Sequence, residues 1–358
     1  MNQTQDKLSK NVILTIAVMT SFLTPFMGSS LNIALPSIGS EFSMDAVSMS
    51  WVVSIYLLSS AVFLLPIGRI ADIYGRKRIL LLGIIAFTLF SFLLAVATSS
   101  VWLIILRALQ GLGSAMIFVT GVAILTSAFP ARERGRVLGI NVASVYLGLS
   151  LGPFLGGILT ESLGWRSIFW VNVPLGLIVI FMILWKLKGE WAEAKGEKFD
   201  FTGFIIYGAS LICAMYGLST LPGLTGVLLL IAGFLLLLAF IWWEMKCRSP
   251  LLNLNLIRGN TAFVFSNIAA LINFSATFAI AFLLSLYLQY TQGMSAQTAG
   301  LVLITQPVVM AIVSPLAGRL SDRAQPRVIA SIGMALTAGG LLYFTFIGAD
   351  TSTGIVML

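Results

Sequence analysis

Residues 68–77 read GRIADIYGRK, and residues 318–327 read GRLSDRAQPR. Each Gly-Arg-x-x-Asp run follows a long apolar segment that carries a proline, Pro66 in the first case and Pro315 in the second, and a further apolar segment comes directly after it. The same polar loop set twice between apolar stretches, 250 residues apart, marks an internal duplication of membrane-spanning units.

The composition around these loops leaves water a minor solvent for the chain. Hydrophobic residues make up 58% of it and charged residues 9%, and the mean hydropathy is +1.01. A helix crosses a hydrocarbon core with about 20 apolar residues. Eleven such stretches are expected, near 11–35, 47–68, 78–98, 101–128, 137–160, 167–186, 202–220, 224–244, 261–290, 299–318 and 328–348, and Thr351 onward reads as the start of another. The first stretch is too long for a signal-peptide core and has no small-residue cleavage site, so it is read as a retained span.

A net charge of +8 would point to nucleic acid in a soluble domain. With the N-terminus in the cytoplasm, however, 19 of the 21 Lys and Arg fall on the inner side, with Arg166 outside and Arg107 within the membrane. The excess therefore sets orientation, as the positive-inside rule requires, and no nucleic-acid partner is implied. The multi-pass protein is expected in the plasma (inner) membrane. Cys213 and Cys247 are too far apart in the expected topology to form a bridge. There is no histidine, and no Cys or carboxylate cluster stands in for one, so no metal site, cofactor or catalytic base is expected and the chain is not read as an enzyme.

An offset of 250 carries Asn11 onto Thr261 and Arg78 onto Val328, so the halves stay in register. The expected organisation is a six-helix half over 1–190, a linker with two extra spans over 191–255, and a second half over 256–358. In the second half, position 358 corresponds to position 108, early in a fourth span. That register implies a chain about two and a half helices short of a complete second half.

Six stretches carry a resemblance. They are LNIALPSI (31–38), the 68–80 loop, RALQGLGSA (107–115), GLSLGPFLGG (148–157), GWRSIFWVNVPLG (164–176) and SPLLNLNLIRG (249–259). In this order they resemble the major facilitator superfamily and, more narrowly, its fourteen-span drug:proton antiporter branch. The resemblance implies an all-α polytopic membrane protein with two six-helix halves and two central extra helices, the second half incomplete. It also implies a monomeric transporter of small, amphipathic molecules that works by alternating access within the lipid bilayer and draws on the proton gradient. A carrier of another solute, a uniporter and a non-transporting remnant or membrane partner are the alternative readings.

Each motif has a physical reading. Gly68, Arg69, Asp72, Gly75 and Arg76, with Gly318 and Asp322 in the second copy, form a candidate conformational latch: the glycines allow close helix approach, and the acid accepts hydrogen bonds from Arg76 or faces a helix N-terminus. An ordinary positive-inside loop is the plainer reading. Arg107 inside a span costs about 2.5–3.5 kcal/mol on insertion scales, so it faces a cavity or a partner, with Gln110 one turn away on the same face. It either gates proton or substrate movement or is tied to backbone carbonyls for packing. Gly148, Gly152 and Gly156 smooth one face of the fifth span, while Pro153 and Gly157 add a bend, as expected of a pivot or of a glycine-rich membrane helix in general. Embedded polar and aromatic residues, Asn32, Trp51, Tyr56, Asn141, Tyr146, Asn273, Gln289 and Gln306, are candidate substrate contacts or interhelical glue. Relatives implied by the resemblance carry an acid in the first span. Here that stretch, 24–32, reads TPFMGSSLN, so the proton-coupling residue is not assigned, and Glu161 and Glu244 are the acids nearest the hydrocarbon.

Overall fold

A computed structural model describes residues 3–254, 259–294, 296–346 and 348, and among these residues the regular secondary structure is all helical. Six long helices come first: α1 (Gln3–Glu41), α2 (Ala46–Tyr74), α3 (Arg76–Ala95), α4 (Ser100–Ala128), α5 (Ala131–Leu163) and α6 (Arg166–Lys186). Then follow α7 (Phe201–Ser219), α8 (Leu224–Glu244), α9 (Thr261–Leu286), a π segment (Tyr287–Thr291), α10 (Ala296–Leu303), α11 (Thr305–Ser321) and α12 (Pro326–Phe344). By length and apolar composition ten passes among the described residues can cross a membrane, α10 and α11 counting together as one, and α9 carries a shorter apolar run.

Local chemistry places the helix ends. Asp45 and Ser99 cap α2 and α4 by accepting from the backbone N–H of Ser48 (2.9 Å) and Trp102 (3.4 Å). Between α2 and α3 the chain turns on Gly75 at φ 115°, a conformation strained for any residue with a Cβ. The helices extend past the expected spans at several ends. α1 runs continuously through Pro25 and Pro36, and α5 begins at Ala131, so the basic run 132–136 is helical rather than loop. The single span expected over 299–318 is broken at Ile304, because Pro307 has no N–H for the carbonyl of Leu303 and its ring crowds that position. The expected further span from Thr351 lies outside the described residues.

Packing is dense in the first six helices. Phe87, Leu103, Ile168, Phe169, Val179 and Ile183 are fully buried, while Leu82, Ile85, Leu89 and Phe92 line the outer face of α3 at helical spacing, as lipid contact demands. α3 is packed between α4 and α6, α1 lies along α5, and α7 and α8 form a hairpin laid on α2. Trp102, Trp185 and Trp242 are exposed near helix ends, the position of an interfacial belt.

Candidate functional site

α5 crosses two neighbours with two separate glycine faces. Toward its C-terminal end, a Cβ at Gly148 would come within 2.7 Å of the Phe22 carbonyl oxygen, one at Gly152 within 3.0 Å of the Ser30 nitrogen, and one at Gly156 within 2.8 Å of Ser30 Cα, so α1 sits directly on this face. Ser29 and Ser30 hydroxyls donate to the carbonyls of Gly148 (3.2 Å) and Gly152 (3.0 Å), closing the contact. Gly157, by contrast, has only an Ile33 methyl at 3.9 Å. Pro153 lies within an uninterrupted helix.

The N-terminal end of α5 meets α11 through Gly135 and Gly139. A Cβ at Gly139 would be 2.6 Å from the Ser314 carbonyl oxygen, and one at Gly318 would be 3.0 Å from Gly139 Cα. On this crossing Asp322 accepts from the backbone N–H groups of Gly135 and Arg136, both at 2.7 Å, one on each carboxylate oxygen. The second copy of the duplicated loop thus clamps the N-terminal end of α5. Two glycines four apart were the sequence signal for this contact, hidden because 132–136 reads as a basic loop.

The first copy is engaged differently. Arg76 donates from Nε to Asp72 (2.8 Å) and from Nη1 to Ser127 (2.7 Å) and Glu193 (2.8 Å), so Asp72 takes its own loop's arginine rather than a helix N-terminus. The linker 187–200 lies along the loop. The Arg76 N–H donates to the Trp191 carbonyl (2.8 Å), the Ala194 N–H to that of Asp72 (2.9 Å), the Lys77 N–H to Glu190 (2.8 Å), and Arg69 pairs with Glu197. Sequence reading missed Glu190, Glu193 and Glu197 as partners, because nothing in a linker's composition says where it docks. Gly68 is not the close approach expected of it, since a Cβ there would meet only a Val119 methyl at 3.2 Å that can shift. At Gly75 the Glu190 side chain fills the space a Cβ would need.

Arg107 lies two turns into α4, near the opposite end of the bundle, and is fully buried. Its Nε donates to the Val52 carbonyl (3.1 Å), and its Nη1 to Gln110 Oε1 (2.5 Å). The guanidinium carbon stands 4.1 Å from the Tyr56 ring centroid. Gln110 in turn donates to Ser91 (2.8 Å), and the Tyr56 hydroxyl to Ser114 (2.8 Å). A desolvated cation–π contact contributes about 2 kcal/mol, and hydrogen bonds from a charged donor about 1.5–3 kcal/mol each, enough to offset the insertion cost. Among the described residues Arg107 Nη2 has no partner, and no carboxylate joins the cluster. A buried charge with one open donor can hold an acceptor group that enters the bundle.

The expected substrate contacts are scattered. Tyr56 is committed to Arg107 and Ser114, Asn141 is buried and accepts from Ser21 (2.8 Å), and Trp51 packs against Tyr216 of α7, with ring centroids 6.0 Å apart. These three serve helix packing here. Asn32 on α1 and Gln306 on α11 are exposed, Tyr146 and Asn273 are half-buried, and the Gln289 side chain lies outside the described residues. An apolar cleft of about 310 Å³ between α9 and α12 is lined by residues including Leu283, Tyr287, Leu341 and Phe344, and by none of these eight. At the end of the bundle opposite the two duplicated loops, Glu41 accepts from Arg166 (2.8 and 2.6 Å) and from Trp165 Nε1 (2.7 Å), tying α1 to α6.

Comparison with known proteins accords with this architecture. The chain is 30% identical over 342 residues to the riboflavin transporter RibZ of Clostridioides difficile, covering 96% of this chain and 75% of that one. It is 34% identical over 322 residues to the multidrug resistance protein Stp of Mycobacterium tuberculosis (88% and 60% covered). It is 34% identical over 348 residues to the cephamycin export protein CmcT of Amycolatopsis lactamdurans (95% and 71%). The chain therefore spans 60–75% of the lengths of these relatives. Among solved structures, the proton:xylose symporter XylE shares the fold, with a TM-score of 0.57 at 13% identity over 87% of this chain and 69% of that one. A model described as the Major Facilitator Superfamily matches residues 17–358, and with the duplicated loop and the helix packing above, the chain belongs to that superfamily.

Proposed function

We propose that this chain forms the larger part of a transporter of the fourteen-span drug:proton antiporter branch, moving small amphipathic molecules out of the cell by alternating access. The observation that carries the reading is the crossing of α5 with α11. α5 is held to α1 by one glycine face and to α11 by another, and the second contact is closed by a single carboxylate on two backbone amides. A contact made of small residues and one ionic clamp can open and re-form without exposing a large apolar core, as rocking of one half on the other requires. Residues 1–190 would form one rocking body and 256–358 part of the other, with 191–255 carrying the two extra helices and an N-terminus in the cytoplasm. On this reading the contact of α5 with α11 closes the cytoplasmic side.

Arg107, buried with a free donor, is the group we assign to an entering acceptor, and Gln110 holds its orientation. The resistance and export functions named for Stp and CmcT support efflux, whereas the name of RibZ supports a reading in which the solute is a nutrient or cofactor. Reconstitution of the full-length protein in vesicles under an imposed pH gradient tests the proposal. Movement of lipophilic cations that follows the gradient supports antiport, and movement indifferent to it refutes antiport.

A further inference from the structure

The stretch 24–32 of the first span has no carboxylate, yet two carboxylates meet at the cytoplasmic end of the α7–α8 hairpin. Asp200 caps α7, accepting from the Gly203 N–H (2.9 Å) on Oδ1 and from Trp243 Nε1 (2.9 Å) on Oδ2. Glu244, the last residue of α8, is 3% exposed and accepts from the Leu252 N–H (3.0 Å) on Oε2. Its other oxygen, Oε1, is buried, and among the described residues it has no hydrogen-bond partner. That oxygen faces Asp200. A Cβ built on Gly203 would lie 2.4 Å from Asp200 Oδ2 and 2.7 Å from Glu244 Oε1, so both carboxylates converge on the space glycine leaves open.

Two buried carboxylates converging in this way cannot both remain ionised without compensation, and a proton on one of them supplies the missing donor. We propose that Glu244 carries a proton on Oε1, directed at Asp200 Oδ2, and that Glu244 is a titratable site of the protein. On release the proton passes to water in a neighbouring cavity of about 210 Å³ lined by Glu244, Cys247, Arg248 and Asn253. The charged and titratable groups facing the pair come from three other places. Arg69 reaches it from α2, and its Nε is buried without a partner among the described residues; Cys247 and Arg248 lie on the segment after α8; Glu197 of the linker is paired with Arg69. Loss of the proton would leave two negative charges beside Arg69 and draw that side chain toward them from Glu197, so the site communicates with the duplicated loop.

Its use in coupling rests on the transporter reading, but its existence does not, and an infrared measurement separates the two. In the full-length protein in lipid near neutral pH, the C=O stretch of a protonated carboxyl is expected in the wild type and in a Glu161→Gln control, and it is expected to vanish in Glu244→Gln, which retains the shape of the protonated acid. Should Glu244→Gln not fold, Asp200→Asn serves, since the asparagine oxygen keeps the cap on Gly203 at the loss of the bond from Trp243. Without the second negative charge Glu244 ionises, and the band is again lost. Absence of the band from the wild type, or its persistence in either folded variant, overturns the proposal.

Discussion

Replacing Asp322 with alanine tests the clamp between α5 and α11 directly. In the closed state the carboxylate receives two backbone N–H groups at 2.7 Å, and the site is half-buried. A hydrogen bond to a charged group is worth about 1.5–3 kcal/mol, and partial solvent access argues for the lower end. Two such bonds amount to about 3 kcal/mol, and at about 1.4 kcal/mol per decade their loss shifts the closed-to-open ratio about a hundredfold toward open. Asp322→Asn keeps one acceptor oxygen without the charge and is expected to shift the ratio about tenfold. Spin labels on cysteines placed at the exposed positions Ala131 and Ala324, with Cys213 and Cys247 changed to serine, report the separation of α5 and α11 at this end of the bundle. A short distance should dominate in the wild type, and a longer one should grow in the order Asn, then Ala. A distance distribution that is the same in Asp322→Ala as in the wild type would refute the reasoning, because the clamp would then contribute nothing to the equilibrium.

Further outcomes follow from the same contacts. Arg107→Ala removes the buried cation from Tyr56, Gln110 and Val52 and should abolish transport while the protein still elutes as a folded species in detergent; wild-type transport would make Arg107 a packing residue. Gly152→Val drives methyl groups into Ser29 and Ser30 of α1 and should cost about 1–3 kcal/mol, read as a lowered thermal midpoint, whereas Gly157→Ala should leave the midpoint unchanged because its nearest neighbour is 3.9 Å away. Arg76→Ala strands Asp72 and Ser127 and should cost about 2–4 kcal/mol. Glu197→Ala, which removes an exposed partner, should cost at most about 1 kcal/mol, and equal midpoints for the two variants would show that the linker does not brace the loop.

The membrane-spanning class, the helix count and the duplicated loop were legible in the sequence because apolar run length and repeat period are properties of the chain alone. Arg107 and Gln110 could be paired in advance for a similar reason: three residues apart on one helix, they share a face wherever that helix packs. The glycines at 148, 152 and 156 announced a smooth face without naming its partner. Which helix fills it depends on crossings between segments more than a hundred residues apart, and these are settled by mutual fit of surfaces. For that reason only the tertiary structure placed α1 on one end of α5 and α11 on the other, gave Asp322 rather than Asp72 the backbone amides, and laid the acids of the linker on Arg69 and Arg76. Asp200 and Glu244 show the same limit. Apart in sequence, each reads as a loop or helix-end carboxylate, and they become one site only because the α7–α8 hairpin folds back and Gly203 leaves room for both.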